Sequence, residues 1–583
     1  MHSFMIHIFE KLISNLKKKS WLIFTFLLSL IIMVPFCFLL DFSVYNLWDS
    51  ASHFCNQKRI LNGEGVFVNS WWLSDLLGSG WLFLAPWSRY EYLWFYLGGA
   101  VIRSFSATIW ALCMKNSFNT DRENKIYLAL IAICAPILGF YLYIGYATVP
   151  VLMAGLYTMS AIELLKRKKI YFCLFLGATN ILLGESRFNM YGMMLLTMPL
   201  IITVFWGDKK LCLKSIFVWF VSLAVTYIIT KYLYNSTAFP MENNIMETGY
   251  TVQRLKSAII EFLDFLRRKI LLQGLKSSLL MFFLLLSLRY LQDKFHVGRI
   301  YWTIPILTTA CLYFINHKFT SEYIVWNYAF LIVLPMLWLP FYVIIFFIIT
   351  KSKQWCELAK DEKKNLLIIW LFVTAFVLIM VFGSNIITRV VSMTMISVLT
   401  FFVAFICWWL QEQKYRSLRF SIFTSLALVS LFAFWNSTIG NNKVDNIYMI
   451  SAGNCKGMCT VDKSMGIEYD EAVKVLENYI KKNEYVLESI PNGQSRFLPA
   501  SVAAGGVMCQ TYWRKNTSAS IKKPNHVVIW KVNSSLFSKH SEEKQYHIEK
   551  TSRRFKQMIN DSEFLHVLDE DNFDLFSRKG SKK

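Results

Sequence analysis

Residues 21–40 read WLIFTFLLSLIIMVPFCFLL and contain no charged side chain. A run of this length crosses the hydrocarbon core of a bilayer as one helix, and comparable runs recur as far as Trp435. Within lipid a chain must satisfy its own backbone hydrogen bonds, and the alternating pattern of barrel strands is absent, so these runs predict helices. The sequence therefore predicts an all-α polytopic membrane protein. Since no secretory cleavage site follows the first run, we expect it to be a retained anchor.

The composition supports the same class. Of the 583 residues, 55% are apolar and 16% are aromatic, and the mean hydropathy is +0.40. The length of a tilted helix places about 13 transmembrane helices along the chain. They are expected near residues 21–40, 91–113, 126–144, 147–165, 170–184, 189–206, 212–233, 270–288, 300–316, 328–350, 366–383, 393–410 and 420–435.

The formal net charge of +23 has a topological explanation. Basic residues cluster in short loops between the predicted spans, as in Lys17–Lys19, Lys166–Lys169 and Lys351–Lys364, and these loops fall on one side of the membrane. Such loops are cytoplasmic by the positive-inside rule. The odd number of spans then places the N-terminus in the cytoplasm and the chain after Trp435 outside. We therefore expect a membrane lipid partner and no nucleic acid.

The C-terminal part differs from the transmembrane domain, which we assign to residues 1–435. Residues 436–583 are less apolar and long enough for a small extracytoplasmic α/β domain. Glu468–Lys482 has helical periodicity, and Val527–Val532 and Phe564–Phe576 are typical of strands, the latter with a hairpin around 569–572. This domain carries no catalytic motif, and we expect a lid or an acceptor-docking module.

Three cysteines are expected in this outer domain. If the compartment is oxidising, they can form disulfides. Cys455 has two possible partners, Cys459 and Cys509, and the thiols can also stay free. The sequence leaves this choice open.

The first outer loop, residues 41–90, contains the most informative pattern. Asp49 begins a predicted amphipathic helix, and the four-residue spacing places His53 on the same face. Asn62–Gly65 ends this helix, and an aromatic segment from Trp71 to Trp87 returns along the membrane interface. A carboxylate held at a bilayer surface is a candidate for chemistry. We expect this loop to roof a cavity.

Other polar side chains are predicted on the same side of the membrane. They are Glu185, Arg187, Lys318, Glu322, Tyr323 and Arg389. Buried cations are costly unless they are paired, and a phosphate suits both the arginine fork and the compact lysine charge. With Lys58 and Arg59 of the first loop, these cations predict a site for a lipid phosphate and its sugar. For each cation alone, snorkelling to the interface or a structural ion pair is at least as good an explanation.

This arrangement resembles the GT-C superfamily of polytopic glycosyltransferases, which includes protein O-mannosyltransferases and lipid A aminoarabinose transferases. The similarity lies in an outer loop that opens with Asp49 and in the loop His317–Tyr323, which is followed by Leu334-Pro335. Glu185-Ser186-Arg187 occupies the place where relatives carry a charged residue between spans. The resemblance implies transfer of a sugar from a polyprenyl-phosphate carrier to an extracytoplasmic glycan, lipid or protein. It also implies a bacterial inner membrane.

The resemblance implies roles for these residues. Asp49 would be the general base, with Asp41 as its competitor, and the single base implies inversion at the anomeric carbon. His53 would orient Asp49, touch substrate, or be structural. The leaving phosphate would be neutralised by Arg187, Lys318 and Arg389, with Lys58 or Arg59. Relatives often carry an acidic pair, whereas here Ser50 follows Asp49; we therefore expect no metal and no other cofactor.

Three other functions remain as alternatives. A transporter or flippase of a lipid-linked saccharide would need phosphate-binding cations, but it predicts internal repeats and broken helices. An O-antigen-type polymerase or ligase would use a large late loop, and Lys231–Lys269 is such a loop. A noncatalytic scaffold would only display the C-terminal domain, and it would not need the long first loop.

Overall fold

The computed structural model describes the chain in segments. They are residues 21–38, 47–63, 71–85, 90–118, 131, 143–237, 259–264, 267, 274–295, 304–307, 324–357, 360–382, 394–438, 447–460, 463–489, 500–508, 524–531, 552–553, 556, 559 and 564–579. The backbone alone is described for 47–49, 295, 324–334, 353–354, 360–361, 430–438 and 465.

The chain up to Thr438 is helical wherever its long elements are described. The helices are α1 (Trp21–Cys37), α2 (Leu47–Leu61), α3 (Trp72–Phe83), α4 (Glu91–Phe118), α5 (Val149–Arg167), α6 (Phe172–Ser186), α7 (Met194–Val204), α8 (Lys209–Thr237), α9 (Leu275–Phe295), α10 (Ile324–Ile349), α11 (Lys360–Val381), α12 (Met395–Trp409) and α13 (Arg416–Thr438). A 3-10 turn, Phe188–Met193, links α6 to α7.

Several of these helices are suited to a membrane. Within the described residues, α4, α5, α8, α9 and α11 contain segments that are long and apolar enough to cross a bilayer. Shorter apolar helices are α1, α6, α12, the second half of α10, and α7 together with the preceding 3-10 turn. The mostly helical class with apolar helices of spanning length is thus confirmed. The predicted spans near 126–144 and 300–316 lie largely outside the described residues.

Polar side chains join some of the apolar helices. The Tyr157 hydroxyl of α5 lies 3.0 Å from the Thr197 hydroxyl of α7, and the Asn180 carboxamide of α6 donates to that hydroxyl at 3.1 Å. Hydrogen bonds of this kind hold helices together where lipid offers no partner.

The first outer loop differs from the predicted interfacial arrangement. Its two helices, α2 and α3, are buried among other helices, and α2 exposes almost nothing between Ser50 and Arg59. The helix itself is confirmed, and it ends as predicted, with Gly63 in the left-handed region at φ +72°. Its polar residues His53, Asn56, Gln57, Lys58 and Arg59 are buried within the protein.

One row of α2 residues faces α4. Ser50, Phe54 and Lys58 are spaced four residues apart and therefore lie on one side of the helix. The Ser50 hydroxyl lies 2.8 Å from the Tyr92 hydroxyl, and the Phe54 ring packs edge-on against the Tyr92 ring with centroids 5.2 Å apart. The Lys58 ammonium lies 2.8 Å from the Glu91 carboxylate. The start of α4 therefore fixes α2.

The helix α3 is fixed by the same part of α4. The Trp81 and Trp94 rings are stacked with centroids 4.6 Å apart, and each indole N–H donates to the other residue's carbonyl, at 2.7 and 2.9 Å. A Cβ atom on Gly98 would come within 2.6 Å of the Trp81 ring. Glycine is therefore what permits the close approach of these two helices.

The C-terminal part contains a sheet. Its elements are β1 (Tyr448–Met449), β2 (Cys459–Thr460), α14 (Lys463–Glu477), β3 (Tyr485–Glu488), α15 (Ala500–Ala503), β4 (Val507–Met508), β5 (His526–Trp530), β6 (Phe564–Asp569) and β7 (Phe573–Arg578). The main sheet has the order β4-β3-β5-β7-β6, in which β3 is parallel to β4 and β5, and β7 is antiparallel to β5 and β6. We call residues 447–579 the C-terminal module.

The predictions for individual elements of this module are confirmed. The hairpin β6–β7 turns at residues 570–572, and β5 occupies most of the predicted strand. The helix α14 begins five residues earlier than predicted and ends five residues earlier, at Glu477. Buried Glu488 closes β3: it accepts hydrogen bonds from the Trp530 indole at 2.7 Å and from the backbone N–H groups of Ala500 and Ser501. Burial raises the pKa of this carboxyl above its usual range despite these donors.

The cysteines of the module are free where they are described. Cys455 is buried and Cys459 is partly buried, and neither is joined to the other. Cys509 lies outside the described residues. Burial raises the pKa of the Cys455 thiol to about 12, so this thiol stays protonated at neutral pH.

The module packs against the end of α1 and the start of α4. The Cys459 N–H donates to the Phe38 carbonyl, just after α1, at 2.6 Å. The Lys482 ammonium lies 2.7 Å from Glu91, whose carboxylate also receives Lys58. Glu91 thus links α2, α4 and the module.

We predict that Glu91→Gln lowers the free energy of unfolding by about 3 kcal/mol or more, because it leaves the buried Lys58 charge without its counter-charge. The Lys58 side chain is only 6% exposed. Lys482→Gln removes the other ion pair at a lysine that is 54% exposed, and it is expected to change the free energy by less than about 1 kcal/mol. Denaturant titration of the purified chain in mixed micelles measures both. Equal small effects would contradict the structural role of Glu91.

Candidate functional site

A histidine–aspartate pair joins α2 to α3. The Nδ1 atom of His53 lies 2.5 Å from a carboxylate oxygen of Asp75, and both side chains are buried, with exposures of 1% and 0%. The second carboxylate oxygen of Asp75 accepts a hydrogen bond from the Asn56 carboxamide at 3.1 Å. Because a carboxylate only accepts, the proton of a neutral His53 imidazole lies on Nδ1 in this pair, and its Nε2 is then the hydrogen-bond acceptor.

A second amide of α2 extends the cluster. The Gln57 carboxamide donates to the Ile144 carbonyl at 2.8 Å. It lies directly over Gly78 of α3, where an added Cβ atom would come within 2.2 Å of the carboxamide. His53, Asn56 and Gln57 therefore form the row of α2 that faces α3 and the segment around residue 144.

The turn that precedes α5 surrounds the histidine with aromatic rings. Its conformation is fixed by Thr148, whose hydroxyl donates to the Tyr143 carbonyl at 2.8 Å and accepts from the Gly145 N–H at 3.1 Å. The Tyr143 and Tyr146 rings lie with centroids 5.3 and 5.4 Å from the His53 ring. Trp71 completes the enclosure at 5.7 Å from the histidine.

The junction of α6 and the following 3-10 turn brings a cation to this enclosure. Arg187 has an extended backbone there, and its guanidinium carbon lies 5.4 Å from the centre of the Tyr146 ring. The Ser74 hydroxyl of α3 donates to the Ser186 carbonyl at 3.1 Å, which fixes α3 against this junction. Asn189 anchors the other side, since its carboxamide donates to the Ile379 carbonyl near the end of α11 at 2.6 Å.

Several buried polar atoms of this cluster have no hydrogen-bond partner among the residues that the structure describes. They are His53 Nε2, Asn56 Oδ1, Gln57 Oε1 and Trp71 Nε1. A buried polar group without a partner costs about 1–3 kcal/mol. Such groups in one place are typical of a site that a polar ligand completes.

Comparison with known proteins adds no family to this geometry. No protein-family model matches the chain, and no curated protein matches its sequence. The site is therefore interpreted from its own chemistry. That chemistry is a proton acceptor held by a carboxylate, a cation nearby, and a lining of aromatic rings and amides. Together these groups suit a transfer reaction in which a hydroxyl loses its proton and an anionic leaving group departs.

The structure places the predicted site residues in different surroundings. His53 and Arg187 both lie near the Tyr146 ring, whereas Lys58 pairs with Glu91. Glu185 accepts a hydrogen bond from the Tyr191 hydroxyl at 2.6 Å, and Arg59 is buried on α2. The backbone of Asp49 belongs to α2, one turn before His53, and its side chain lies outside the description. Also outside the described residues are Asp41, Lys318, Glu322, Tyr323 and Arg389.

Sequence reasoning missed Asp75. It treated Trp71–Trp87 as an apolar segment at the interface, yet Asp75 is the single charged residue in that segment. A lone carboxylate in an apolar helix is a signal of function, because it is retained only where it has a partner. In the described part of the chain, no group of three or more His, Cys, Asp and Glu side chains is placed to hold a metal ion. The expectation of no cofactor stays a prediction.

We predict opposite effects for two glycines of α3. Gly80 has no atom within 4 Å of an added Cβ, so Gly80→Ala should stabilise the protein by up to about 1 kcal/mol through helix propensity. Gly78→Ala displaces the Gln57 carboxamide from its bond to Ile144, at a cost of about 1–3 kcal/mol that offsets this gain. Thermal unfolding of the two variants in one detergent tests the difference. Equal stabilisation by both would contradict the close fit of Gln57 over Gly78.

Proposed function

We propose that this chain is a glycosyltransferase that moves a sugar from a polyprenyl-phosphate carrier to an extracytoplasmic acceptor, with inversion at the anomeric carbon. The observation that carries the proposal is the buried His53–Asp75 pair beside Arg187, within a protein built mostly of apolar helices. Buried ionisable groups are expensive in such a protein, and they are retained where they bind or react. No soluble donor has to reach this site, because a lipid-linked donor arrives by lateral diffusion.

The position of the site supports transfer over transport. The cluster is assembled from the short helices α2 and α3, the turn before α5 and the end of α6. These elements are two short helices, a turn and one helix end, whereas transporters typically bind their substrate between broken helices at the bilayer midplane. The C-terminal module, with residues of α2 and α4, covers the same end of the helical part. Such a module is suited to guide an acceptor, which is a glycan, a lipid or a protein.

The proposed roles follow from charge. When the acceptor oxygen attacks the anomeric carbon, the bond from that carbon to the phosphate oxygen breaks, and the carrier phosphate gains a negative charge. Arg187 is placed to stabilise this charge. Lys318 and Arg389 are proposed to share that task, with Tyr323 and Glu322 contacting the sugar. One proton acceptor is required, and the sequence offers Asp49 in α2, with Asp41 as the alternative. No divalent cation is needed in this scheme.

We propose the arrangement in the membrane on the same basis. About 13 helices would cross a bacterial inner membrane, with the N-terminus in the cytoplasm and the C-terminal module outside. The basic loops between the apolar helices support this orientation.

The test is transfer by the full chain in proteoliposomes that contain a panel of polyprenyl-phosphate sugars and envelope glycan, lipid and protein acceptors. We expect sugar to leave at least one carrier and to appear on an acceptor with inverted configuration. Movement of the lipid-linked sugar between leaflets without bond cleavage would establish the flippase instead. Extension of a preassembled lipid-linked oligosaccharide, without use of single sugars, would establish the polymerase or ligase.

Arg187 provides the matched variant for this assay. Arg187→Ala is expected to lower kcat/KM for the donor by about 10 to 100-fold, the value of one hydrogen bond to a charged phosphate. Arg167→Ala is the control, because Arg167 is 61% exposed at the end of α5 and pairs with Glu163. Equal activity of both variants would exclude Arg187 from the donor site.

Orientation is tested with a maleimide that does not cross membranes. In right-side-out vesicles the exposed thiol of Cys356, which is predicted to be cytoplasmic, should react only after permeabilisation, and Cys356→Ser should remove that signal. A reporter at Leu565→Cys, a position 53% exposed on β6, should react in intact vesicles. The reverse pattern would overturn the orientation.

A further inference from the structure

The Nε2 atom of His53 is buried beside a bonded Nδ1 and has no hydrogen-bond partner among the described residues. We propose that His53 is the base that takes the proton of the acceptor hydroxyl, that Asp75 positions it, and that the acceptor is a carbohydrate. This inference rests on the proposed function. It assigns the residue that activates the acceptor and the chemical class of the acceptor. It replaces Asp49 as the base with a residue one turn further along α2.

The bonding of Asp75 makes it a positioning residue. Both of its carboxylate oxygens are occupied, one by His53 Nδ1 at 2.5 Å and the other by the Asn56 carboxamide at 3.1 Å. A carboxylate held in this way fixes the ring orientation and the tautomer of its histidine. It also compensates the positive charge that the imidazole acquires on protonation.

The other side of the imidazole is prepared for a ligand. Nε2 is buried and has no hydrogen-bond partner among the described residues. A histidine with only a structural role would use both nitrogens, because an unpaired buried nitrogen is destabilising. His53 could instead bind a metal ion, but a metal site needs further ligands. In the described part of the chain, no group of three or more metal-binding side chains includes His53.

The lining around Nε2 indicates the class of acceptor. Three aromatic rings, those of Trp71, Tyr143 and Tyr146, stand within 5.7 Å of the His53 ring between centroids. Two amide oxygens, of Asn56 and Gln57, and the Trp71 indole N–H are buried without partners in the described structure. Aromatic faces match the C–H faces of a sugar ring, and these polar atoms match its hydroxyls, as donors and acceptors in fixed positions.

The relative position of base and cation fits the two halves of the reaction. The Arg187 guanidinium carbon lies 5.4 Å from the centre of the Tyr146 ring, and the centroids of the His53 and Tyr146 rings are also 5.4 Å apart. A donor phosphate at Arg187 and an acceptor hydroxyl at His53 would thus both lie close to Tyr146. The transferred sugar would occupy the space between them, against the tyrosine face.

The step balances in protons and charge. The acceptor hydroxyl oxygen forms its bond to the anomeric carbon, while the bond from that carbon to the phosphate oxygen breaks and its electron pair leaves with the carrier phosphate. The hydroxyl proton moves to His53 Nε2, which becomes an imidazolium beside the Asp75 carboxylate. The proton then passes to water, and the neutral imidazole is restored.

The experiment uses the full chain in proteoliposomes, with the donor and carbohydrate acceptor that give turnover in the unchanged protein. His53→Ala is expected to lower kcat by about 10² to 10⁴-fold, with donor KM changed by less than about threefold. Added imidazole should restore turnover of this variant in a saturable way, because it can fill the space left between the aromatic rings. Asp75→Asn should lower kcat as well, without rescue by imidazole.

Further variants keep the test decisive. His53→Asn retains an N–H toward Asp75 but cannot take a proton, so it should fold, bind donor and remain inactive. His566→Ala is the matched control on the surface of the module, where His566 is 46% exposed, and it should retain full activity. Asp49→Ala is compared directly, with and without imidazole.

The outcomes separate the two proposals. If the unchanged chain transfers sugar and His53→Ala keeps its kcat, or Asp49→Ala alone abolishes turnover, the assignment of His53 is overturned while the glycosyltransferase stands. Transfer only to protein or lipid acceptors would overturn the carbohydrate acceptor. No transfer with any donor would overturn the glycosyltransferase and this assignment with it.

Discussion

The burial of α2 is the constraint on which the rest of the site depends. A helix enclosed on two sides cannot leave its polar groups to water, so each group needs a partner in the protein or in a ligand. The row toward α4 meets this demand within the chain, since Ser50 lies against Tyr92 and Lys58 against Glu91. The row toward α3 meets it only in part, because His53, Asn56 and Gln57 each keep one atom without a described partner. The second row is therefore the side on which a substrate would complete the structure.

The first turn of α4 contacts both α2 and α3 and fixes their positions. Glu91 and Tyr92 hold α2, and Trp94 holds α3 through its stacked partner Trp81. The distance between His53 and Asp75 is consequently set by contacts that lie outside the pair itself. Because Glu91 also receives Lys482, the position of the C-terminal module is linked to the same turn. An acceptor bound to the module would therefore meet the histidine in a defined geometry.

Local sequence patterns predicted many of the helices and strands of this fold. They did not predict which distant segments of the chain contact each other. The apolar runs gave the helices and the alternation around residues 564–576 gave the hairpin, because each depends on neighbouring residues alone. The four-residue helical spacing also placed His53 on one face of α2 with Asp49. Its partner Asp75 lies 22 residues further along the chain and on another helix, α3. No sequence periodicity connects the two residues. Lys58 was assigned to a phosphate because the sequence does not show that Glu91 folds over it.

The roles proposed for His53 and Arg187 have a consequence for charge in this apolar setting. A polyprenyl-phosphate sugar carries one negative charge, and cleavage leaves a phosphate with a second one. Were a lone carboxylate to take the proton, it would become neutral, and the site would lose a negative charge at one end as it gains one at the other. With His53, a positive charge instead develops on the imidazole as the negative charge develops on the phosphate.

Asp75 and Arg187 are each in place beforehand to oppose the charge that forms next to them. In surroundings of low dielectric constant, preorganised groups of this kind lower the barrier more than they would in water. The buried pair of His53 and Asp75 is therefore well matched to the proposed reaction.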